Sequence, residues 1–238
     1  MQCVRLGQRA TPGRRNPEHR QLKAAVLYAR AAALAPCADQ AMRLVTPARR
    51  EKAARLRLKP DRYRSLAAGL LVRRFLGVRD DTELTYGPMG RPELSTRGPF
   101  FSLSHAGDFA ALALLGEVPV GLDLEPLSRR VRRGLVAERI FSAEERELMA
   151  GSPDDPELFL AVWTRKESLL KAAGMGLFQD PEDFSAVPLD APALPALGSL
   201  WSFSTFVEQG HVFSVAAPAE GGALEIETRE VPVEELLE

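Results

Sequence analysis

Residues 162–176 read VWTRKESLLKAAGMG, and the placement of this stretch decides how the rest of the chain is read. At about 3.6 residues per helical turn, Trp163, Glu167 and Lys171 drift only slightly around the axis and share one stripe. A glutamate followed four residues later by a lysine is an ordinary solvated helix pair, contributing a few tenths of a kcal/mol. The stripe is either solvated or faces a site, and a tryptophan on it argues against full exposure. Gly174 and Gly176 supply the helix stop.

Composition sets the frame around this helix. The chain has 238 residues, 45% of them apolar, enough to bury a core as one large domain or two smaller lobes. Charges nearly cancel, 31 basic against 32 acidic, so net charge names no polyanionic partner. Their distribution is uneven. Twelve Lys or Arg fall between Arg43 and Arg79 against only Glu51 and Asp61, whereas beyond Pro181 nearly every charge is acidic. The basic part would attract phosphate. Two cysteines, Cys3 and Cys37, make neither a disulfide framework nor a Cys-rich zinc site, which fits a reducing cytoplasm. The longest apolar stretch, Ala24 to Ala38, is broken by Arg30 and Pro36 and is too short to span a bilayer. Residues 1–22, Arg-rich and almost acid-free, are expected to be a disordered tail.

Downstream of that tail, Ala24 to Leu34 is expected to be a buried strand, although a short helix has the same pattern. Thr46 and Pro47 open a basic helix through Arg55, and Asp61 is expected to cap a second helix, Arg62 to Leu76, with Leu66, Leu70 and Phe75 inward and Gly77 as its stop. Strands are expected over Pro99–Leu103, Phe109–Leu115 and Val118–Glu125, consecutive in an antiparallel meander. Leu127 to Met149 is helical, interrupted at Phe141-Ser142, where Ser142 and Glu145 form a capping box. Asp190 to Gly198 is expected to be a loop, and Leu200–Phe206 with His211–Ala217 a hairpin around Gln209-Gly210.

Along Val120-Gly121-Leu122-Asp123-Leu124-Glu125, alternation sends Val120, Leu122 and Leu124 to a core while Asp123 and Glu125 project together from the other face, about 7 Å apart. Such a pair is either the wet side of a half-buried strand or a cation site in a cleft. An oxygen-only set of this kind suits magnesium, with Glu167 as the candidate third carboxylate and Lys171 as a neighbouring cation for a phosphoryl group. Phe101-Ser102-Leu103-Ser104-His105-Ala106-Gly107 makes a poor serine hydrolase signal, because adjacent Ser and His in a strand face opposite ways and no G-x-S-x-G elbow occurs. It suits a phosphate contact, or simply a turn capped by its own side chains.

Taken in order, these motifs resemble the 4′-phosphopantetheinyl transferase superfamily. The resemblance is carried by Gly90-Arg91-Pro92, the Phe101–Gly107 stretch, Gly121-Leu122-Asp123-Leu124-Glu125, Phe141-Ser142 with Glu144 and Glu145, and Trp163-Thr164-Arg165-Lys166-Glu167-Ser168 followed by Lys171, Gly174 and Gly176. A weaker likeness extends to Glu51-Lys52, Lys59, Asp61 and Arg64-Ser65. The length resembles the family's long, surfactin-type, monomeric branch. What the resemblance implies is an α+β fold of two similar lobes about a pseudo-two-fold axis, each an antiparallel sheet packed with a long helix. The lobes would divide at residues 23–117 and 118–238.

The implied activity is Mg2+-dependent transfer of the 4′-phosphopantetheine group from coenzyme A to a serine of an acyl or peptidyl carrier protein, releasing adenosine 3′,5′-bisphosphate. Asp123, Glu125 and Glu167 would hold the metal, and Glu167 would take the serine proton directly or through water. Lys171, His105 and Ser104 would meet the pyrophosphate, and Arg49, Lys52, Arg64 and Arg91 the adenosine and its 3′-phosphate. The sequence departs from the family in having Ser102 where Asn is frequent, Arg91 where Lys is frequent and Ile140 where an aromatic is frequent. Arg129, Arg130, Arg132 and Arg133, in SRRVRRG, are either a steering patch for an acidic carrier or a solvated helix start. Two other readings remain open. One is a coenzyme A-binding protein without activity, disfavoured by the complete set of carboxylates and the lysine. The other is nucleic-acid binding by residues 49–64, disfavoured because only Tyr63 interleaves the basic run. Neither a nucleic acid nor a membrane is expected as partner.

Overall fold

The computed structural model describes residues 21–116, 118–130, 133–175 and 181–238. The tail expected over residues 1–22 lies, up to Arg20, outside them, as do Arg132 and Gly176.

The described residues open with strand β1 (Gln21–Arg30), which passes into a 3-10 turn over Ala31–Cys37. The apolar run from Ala24 is thus strand only as far as Arg30. Helix α1 (Ala38–Leu44) leads to α2 (Pro47–Arg55), whose first turn is capped by the Thr46 hydroxyl accepting from the Arg49 amide. Helix α3 (Lys59–Leu76) begins three residues earlier than expected, because Pro60 sets the first turn in helical geometry. Asp61, the anticipated cap, lies inside that turn and pairs with Arg64. Gly77, left-handed at φ 74°, ends the helix.

Strands β2 (Leu84–Tyr86) and β3 (Pro92–Leu94) form a small hairpin. Strands β4 (Phe100–Ala106) and β5 (Phe109–Leu115) form a second, turning at Gly107-Asp108. Strand β6 (Gly121–Pro126) is followed by helices α4 (Arg133–Ile140) and α5 (Ala143–Gly151), the latter with its Ser142/Glu145 capping box, and by α6 (Pro156–Ala172). Strands β7 (Ala193–Ala196), β8 (Ser199–Glu208), β9 (His211–Pro218) and β10 (Ala223–Glu230) precede a short final helix, α7 (Val233–Leu236). β7 occupies the stretch expected to be loop.

Two four-stranded sheets result, in the orders β10-β1-β5-β4 and β6-β9-β8-β7. This corrects the expected meander: β6 does not continue β4 and β5 but pairs with β9, Asp123 opposite Ser214. It also corrects the expectation of two purely antiparallel sheets, since β10 runs parallel to β1, from Gln21 opposite Ala223 to Tyr28 opposite Glu230. The last strand returns to the first sheet instead of extending the second.

Alternation along the strands explains the layering. Leu22, Ala24, Val26 and Tyr28 of β1, with Phe109, Ala111 and Ala113 of β5, face Leu122, Leu124, Phe213 and Val215 of the other sheet and Val120 just before it. The opposite face of the first sheet, through Leu27, Ala29, Ala110 and Leu112, packs on Leu66, Leu70 and Leu71 of α3. α6 covers the second sheet, burying Leu169 and Leu170 against Phe203 and Ala216. Apolar surface is thus removed from water between the sheets and under each long helix, and, among the described residues, in a further cluster of Phe141 with Phe159, Leu160, Val162 and Val212.

The seam that positions the site is β6 against α6. A β-carbon on Gly121 would lie 1.8 Å from the carbonyl oxygen of Ser168 and 2.5 Å from the amide nitrogen of Ala172. Only glycine lets strand and helix backbones approach so closely. Arg91 closes the same seam, its guanidinium donating to the carbonyls of Ala172 (2.8 Å) and Val120 (3.4 Å). Replacing Gly121 by Ala forces backbone apart rather than a flexible side chain, so the variant is expected to lose at least about 2 kcal/mol, read as a Tm lower by roughly 5 °C or more. A thermal melt coincident with that of the unchanged protein would contradict the seam.

Candidate active site

The two sheets and their helices leave a cleft of about 500 Å³, lined by α2 and α3 on one side and by β6 and α6 on the other. Asp123 and Glu125 line it from β6, Trp163, Glu167 and Lys171 from α6, Ser104 and His105 from β4, and Arg49 and Lys52 from α2. The stripe read from VWTRKESLLKAAGMG is therefore the cleft face of α6. Along its middle, Thr164, Arg165, Lys166 and Ser168 are buried against protein, and Trp163, Glu167 and Lys171 are the partly open positions. Likewise, the face of β6 bearing Asp123 and Glu125 is a cleft wall and not a wet surface, with side-chain exposures of 9% and 12%.

Local bonds knit this wall. The Ser104 hydroxyl donates to Asp123 Oδ1 at 2.8 Å, and the Leu122 amide donates to Ser102 Oγ at 3.0 Å, joining β4 to β6. Lys171 Nζ donates to Asp123 Oδ1 (2.7 Å), to the Leu122 carbonyl (3.0 Å) and to Ser104 Oγ (3.3 Å). Glu125 pairs with the Arg129 guanidinium, which also sits 5.5 Å from the Trp163 ring centre. Asp123 Oδ2 is buried without a hydrogen-bond partner.

Electrostatics divide the cleft in two. Desolvation, reinforced by the Asp123 charge and only partly relieved by Lys171 and Arg129, raises Glu167 to about 7. On the other side, desolvation lowers the pKa of Arg49, and desolvation with the Arg49 charge lowers that of Lys52. The His105 imidazole is pushed down first by desolvation and then by Lys52, Arg64 and Lys171. One wall thus crowds carboxylates and the other crowds cations, which suits a polyanion held beside a hard cation.

The expected metal site is not assembled as such. Among the described residues, no three His, Cys, Asp or Glu side chains group closely enough to hold an ion. The physical reason is that two of the three carboxylates already have counter-ions, Asp123 in Lys171 and Glu125 in Arg129. Two of the expected contacts also stand away from the main cleft. Arg91 turns to the β6–α6 seam, with its neighbours Gly90 and Pro92 on the lining instead. Arg64 faces an adjoining hollow of about 490 Å³, shared with Lys52, His105, Glu125 and Arg129, and donates to the Gly107 carbonyl at 2.7 Å.

Of the four arginines read as a patch, Arg129 turns into the cleft, Arg130 is exposed, Arg133 donates to the Pro153 carbonyl at 3.4 Å, and Arg132 lies outside the described residues. Sequence reasoning missed the inward turn of Arg129. Its i, i+4 spacing from Glu125 was the available signal, but the segment is not helical and the spacing carries meaning only in a helix. Tyr86, Thr46 and Gly69 also line the cleft. A β-carbon on Gly69 would meet the Arg49 side chain at 2.9 Å, so this glycine makes room for the arginine stem across α3.

Folding raises the Glu167 pKa, so the folded, metal-free protein holds this proton more tightly than the unfolded chain does. The contribution to stability is complete below the ordinary glutamate range and is lost as pH climbs through about 7. Melts in chelator should therefore show Tm falling between pH 5 and pH 8, roughly the window set by the two values, with Glu167→Gln flattening the decline. An unchanged slope in the variant would remove this assignment. His105, observed by NMR, should titrate below the usual histidine range and move upward when inorganic pyrophosphate is added, because an anion reverses the local field. A titration insensitive to pyrophosphate would speak against an anion site.

Comparison with known proteins agrees with the motifs. The profile of the 4′-phosphopantetheinyl transferase superfamily matches residues 119–216, from the approach to β6 through most of β9. The chain is 37% identical over 123 residues to the 4′-phosphopantetheinyl transferase AcpT of Escherichia coli O157:H7, a match covering 50% of this chain and 62% of that protein. It is 30% identical over 175 residues to HetI of Nostoc sp., covering 68% and 74%. It is 29% identical over 207 residues to Sfp of Bacillus subtilis, covering 81% and 80%. The chain thus spans less than two thirds of the length of the E. coli relative.

Proposed function

This chain belongs to the 4′-phosphopantetheinyl transferase superfamily, and from that premise we propose that it moves the phosphopantetheine arm of coenzyme A onto a serine of an acyl or peptidyl carrier protein. The observation that carries the reading is the divided cleft, with carboxylates and Lys171 on one wall and Arg49, Lys52 and His105 on the other. The two sheets, with α3 on one and α6 on the other, are read as the two lobes. The boundary near residues 117 and 118 would then stand, with β10 lent back to the first lobe.

In the proposed reaction the serine Oγ forms a bond to the phosphorus bearing pantetheine, the bond from that phosphorus to the adenosine 5′-phosphate oxygen breaks, and adenosine 3′,5′-bisphosphate leaves. Glu167 is the carboxylate placed to accept the serine proton, directly or through water. Lys171 moves its ammonium from Asp123 toward the departing oxygen, and His105 and Ser104 orient the pyrophosphate from the tip of β4. Lys52 and Arg49 gather the negative charge of the nucleotide end, and Arg64 meets it from the adjoining hollow. The protein's work is chiefly positioning of two reactants and supply of fixed charge.

The donor chemistry suits a magnesium ion, which would have to draw the three carboxylates together, Asp123 and Glu125 from their present counter-ions. The donors are all carboxylate oxygens, one of them, Asp123 Oδ2, buried and unpartnered, and Glu167 is a carboxylate short of counter-charge. Asp123, Glu125 and Glu167 would hold it, Glu125 leaving Arg129 to do so. Bound there, the ion would supply Lewis-acid charge stabilisation to the pyrophosphate.

Mass spectrometry of an apo carrier protein incubated with coenzyme A, Mg2+ and this protein tests the proposal. The carrier should gain the mass of one phosphopantetheine. Glu167→Gln should slow the gain by roughly a hundredfold or more. Coenzyme A binding with no mass gain on any of a panel of fatty acid, polyketide and peptide carriers would instead favour a binding protein without activity.

A further inference from the structure

Arg129 lines the cleft, and the proposed transfer step gives it no contact with substrate. It follows β6 immediately, its amide donating to the Pro126 carbonyl at 2.8 Å, and this turn folds the side chain back over Glu125. Its guanidinium pairs with that carboxylate and lies over the Trp163 ring, where a delocalised planar cation is held by the ring face as well as by the charge. The side chain is 35% exposed, so it is anchored without being locked. It lines the main cleft and the adjoining hollow alike, and both cavities also share Lys52 and His105. The guanidinium thus stands between a metal-type carboxylate and the cationic wall where an anion would lie.

We infer that Arg129 is a tethered counter-ion that Glu125 exchanges for the divalent cation, and that the released guanidinium, still hinged on Trp163, turns to the phosphate oxygens of the bound nucleotide. The inference rests on the reading of the cleft as a site for magnesium and coenzyme A. Two consequences follow from it. Without nucleotide, Arg129 competes with the metal for Glu125 and weakens its binding. With nucleotide present, the anion draws Arg129 off Glu125, so nucleotide and metal each strengthen the other's binding through this one side chain, and by linkage the strengthening is equal in both directions. Lys171 holds Asp123 in a parallel way, with the Leu122 carbonyl and Ser104 Oγ as its further acceptors.

The test is Mn2+ binding, followed by the electron paramagnetic resonance signal of the free ion, with and without coenzyme A, in the unchanged protein, Arg129→Gln and Arg129→Lys. Without coenzyme A, Arg129→Gln should bind Mn2+ about two- to fivefold more tightly than the unchanged protein, the scale of removing one partly exposed ion pair. Coenzyme A should tighten Mn2+ binding more in the unchanged protein than in Arg129→Gln, and Arg129→Lys, which keeps the charge, should stay close to the unchanged protein. Equal or weaker Mn2+ binding by Arg129→Gln without coenzyme A would overturn the inference, as would an equal coenzyme A effect in both proteins. Mn2+ binding by Arg129→Lys without coenzyme A as tight as that by Arg129→Gln would also overturn it, because the competition at Glu125 needs only the charge. If Arg129→Gln does not fold, Arg129→Met keeps an apolar stem against Trp163 and reads the same quantity. These outcomes leave the proposed transferase reading standing, whereas absence of Mn2+ binding by the unchanged protein with and without coenzyme A sinks the metal reading and this inference with it.

Discussion

The site depends on how closely one strand can approach one helix. At Gly121 the backbone of β6 lies against the carbonyl of Ser168 and the amide of Ala172, with no room for a side chain. Two residues further on, alternation turns Asp123 toward α6, and two beyond that, Glu125. On the helix, Glu167 and Lys171 flank Ser168 and Ala172 and so look back at the strand. Four functional side chains are thereby brought to one wall by a single backbone contact, and Lys171 reaches the Leu122 carbonyl and Asp123 at hydrogen-bond distance. A wider spacing would put the lysine beyond hydrogen-bonding reach of both.

What the seam brings together, charge must then tolerate. Burial first, and repulsion from Asp123 second, raise the pKa of Glu167. Lys171 and Arg129 relieve this in part, each spending its charge on one carboxylate. The wall is therefore nearly self-neutralised and not a ready metal cage, which explains why its oxygens do not form a compact cluster. On the opposite wall desolvation lowers the pKa values of Arg49, Lys52 and His105, and Asp81 offsets only part of the cost at Arg49. An arriving polyanion would reverse that cost, so the cleft stores its preference for a phosphate-rich ligand on the cationic side.

Much of this was readable before any coordinates, and the reasons are local. The Ser142/Glu145 capping box, the Thr46 cap and the Gly77 and Gly174 stops are short-range devices whose chemistry lies within a few residues. The hairpin at Gln209-Gly210 is likewise local, with both residues at positive φ, 48° and 71°. The cleft face of α6 was legible because a tryptophan, an acid and a base at spacing four leave few other uses. What could not be read was pairing at a distance. β10 meets β1 across some two hundred residues in parallel register, and β6 passes over its sequence neighbour β5 to join β9. No turn residue encodes either choice. Arg91 and Arg129 failed for a related reason: residue type predicts affinity for phosphate, while direction depends on which carbonyl or carboxylate lies within reach.

One buried pair bears on why α6 shows this face to the cleft and no other. Lys166, adjacent to Glu167, is fully buried and donates to both oxygens of the equally buried Glu145 at 3.0 and 2.8 Å and to the Phe184 carbonyl at 2.6 Å. Glu145 in turn accepts from the Ala186 amide at 2.6 Å while closing the cap of α5. Such a pair contributes little net stability, because two charges have left water, but breaking it leaves one charge stranded. Neighbouring helix residues point about 100° apart. Turning α6 by one position to offer Lys166 to the cleft would strand Glu145 and push Glu167 into the core. The ion pair therefore acts on the rotation of the helix more than on its stability, and it is this rotation that keeps the Glu167 carboxylate on the side of Asp123.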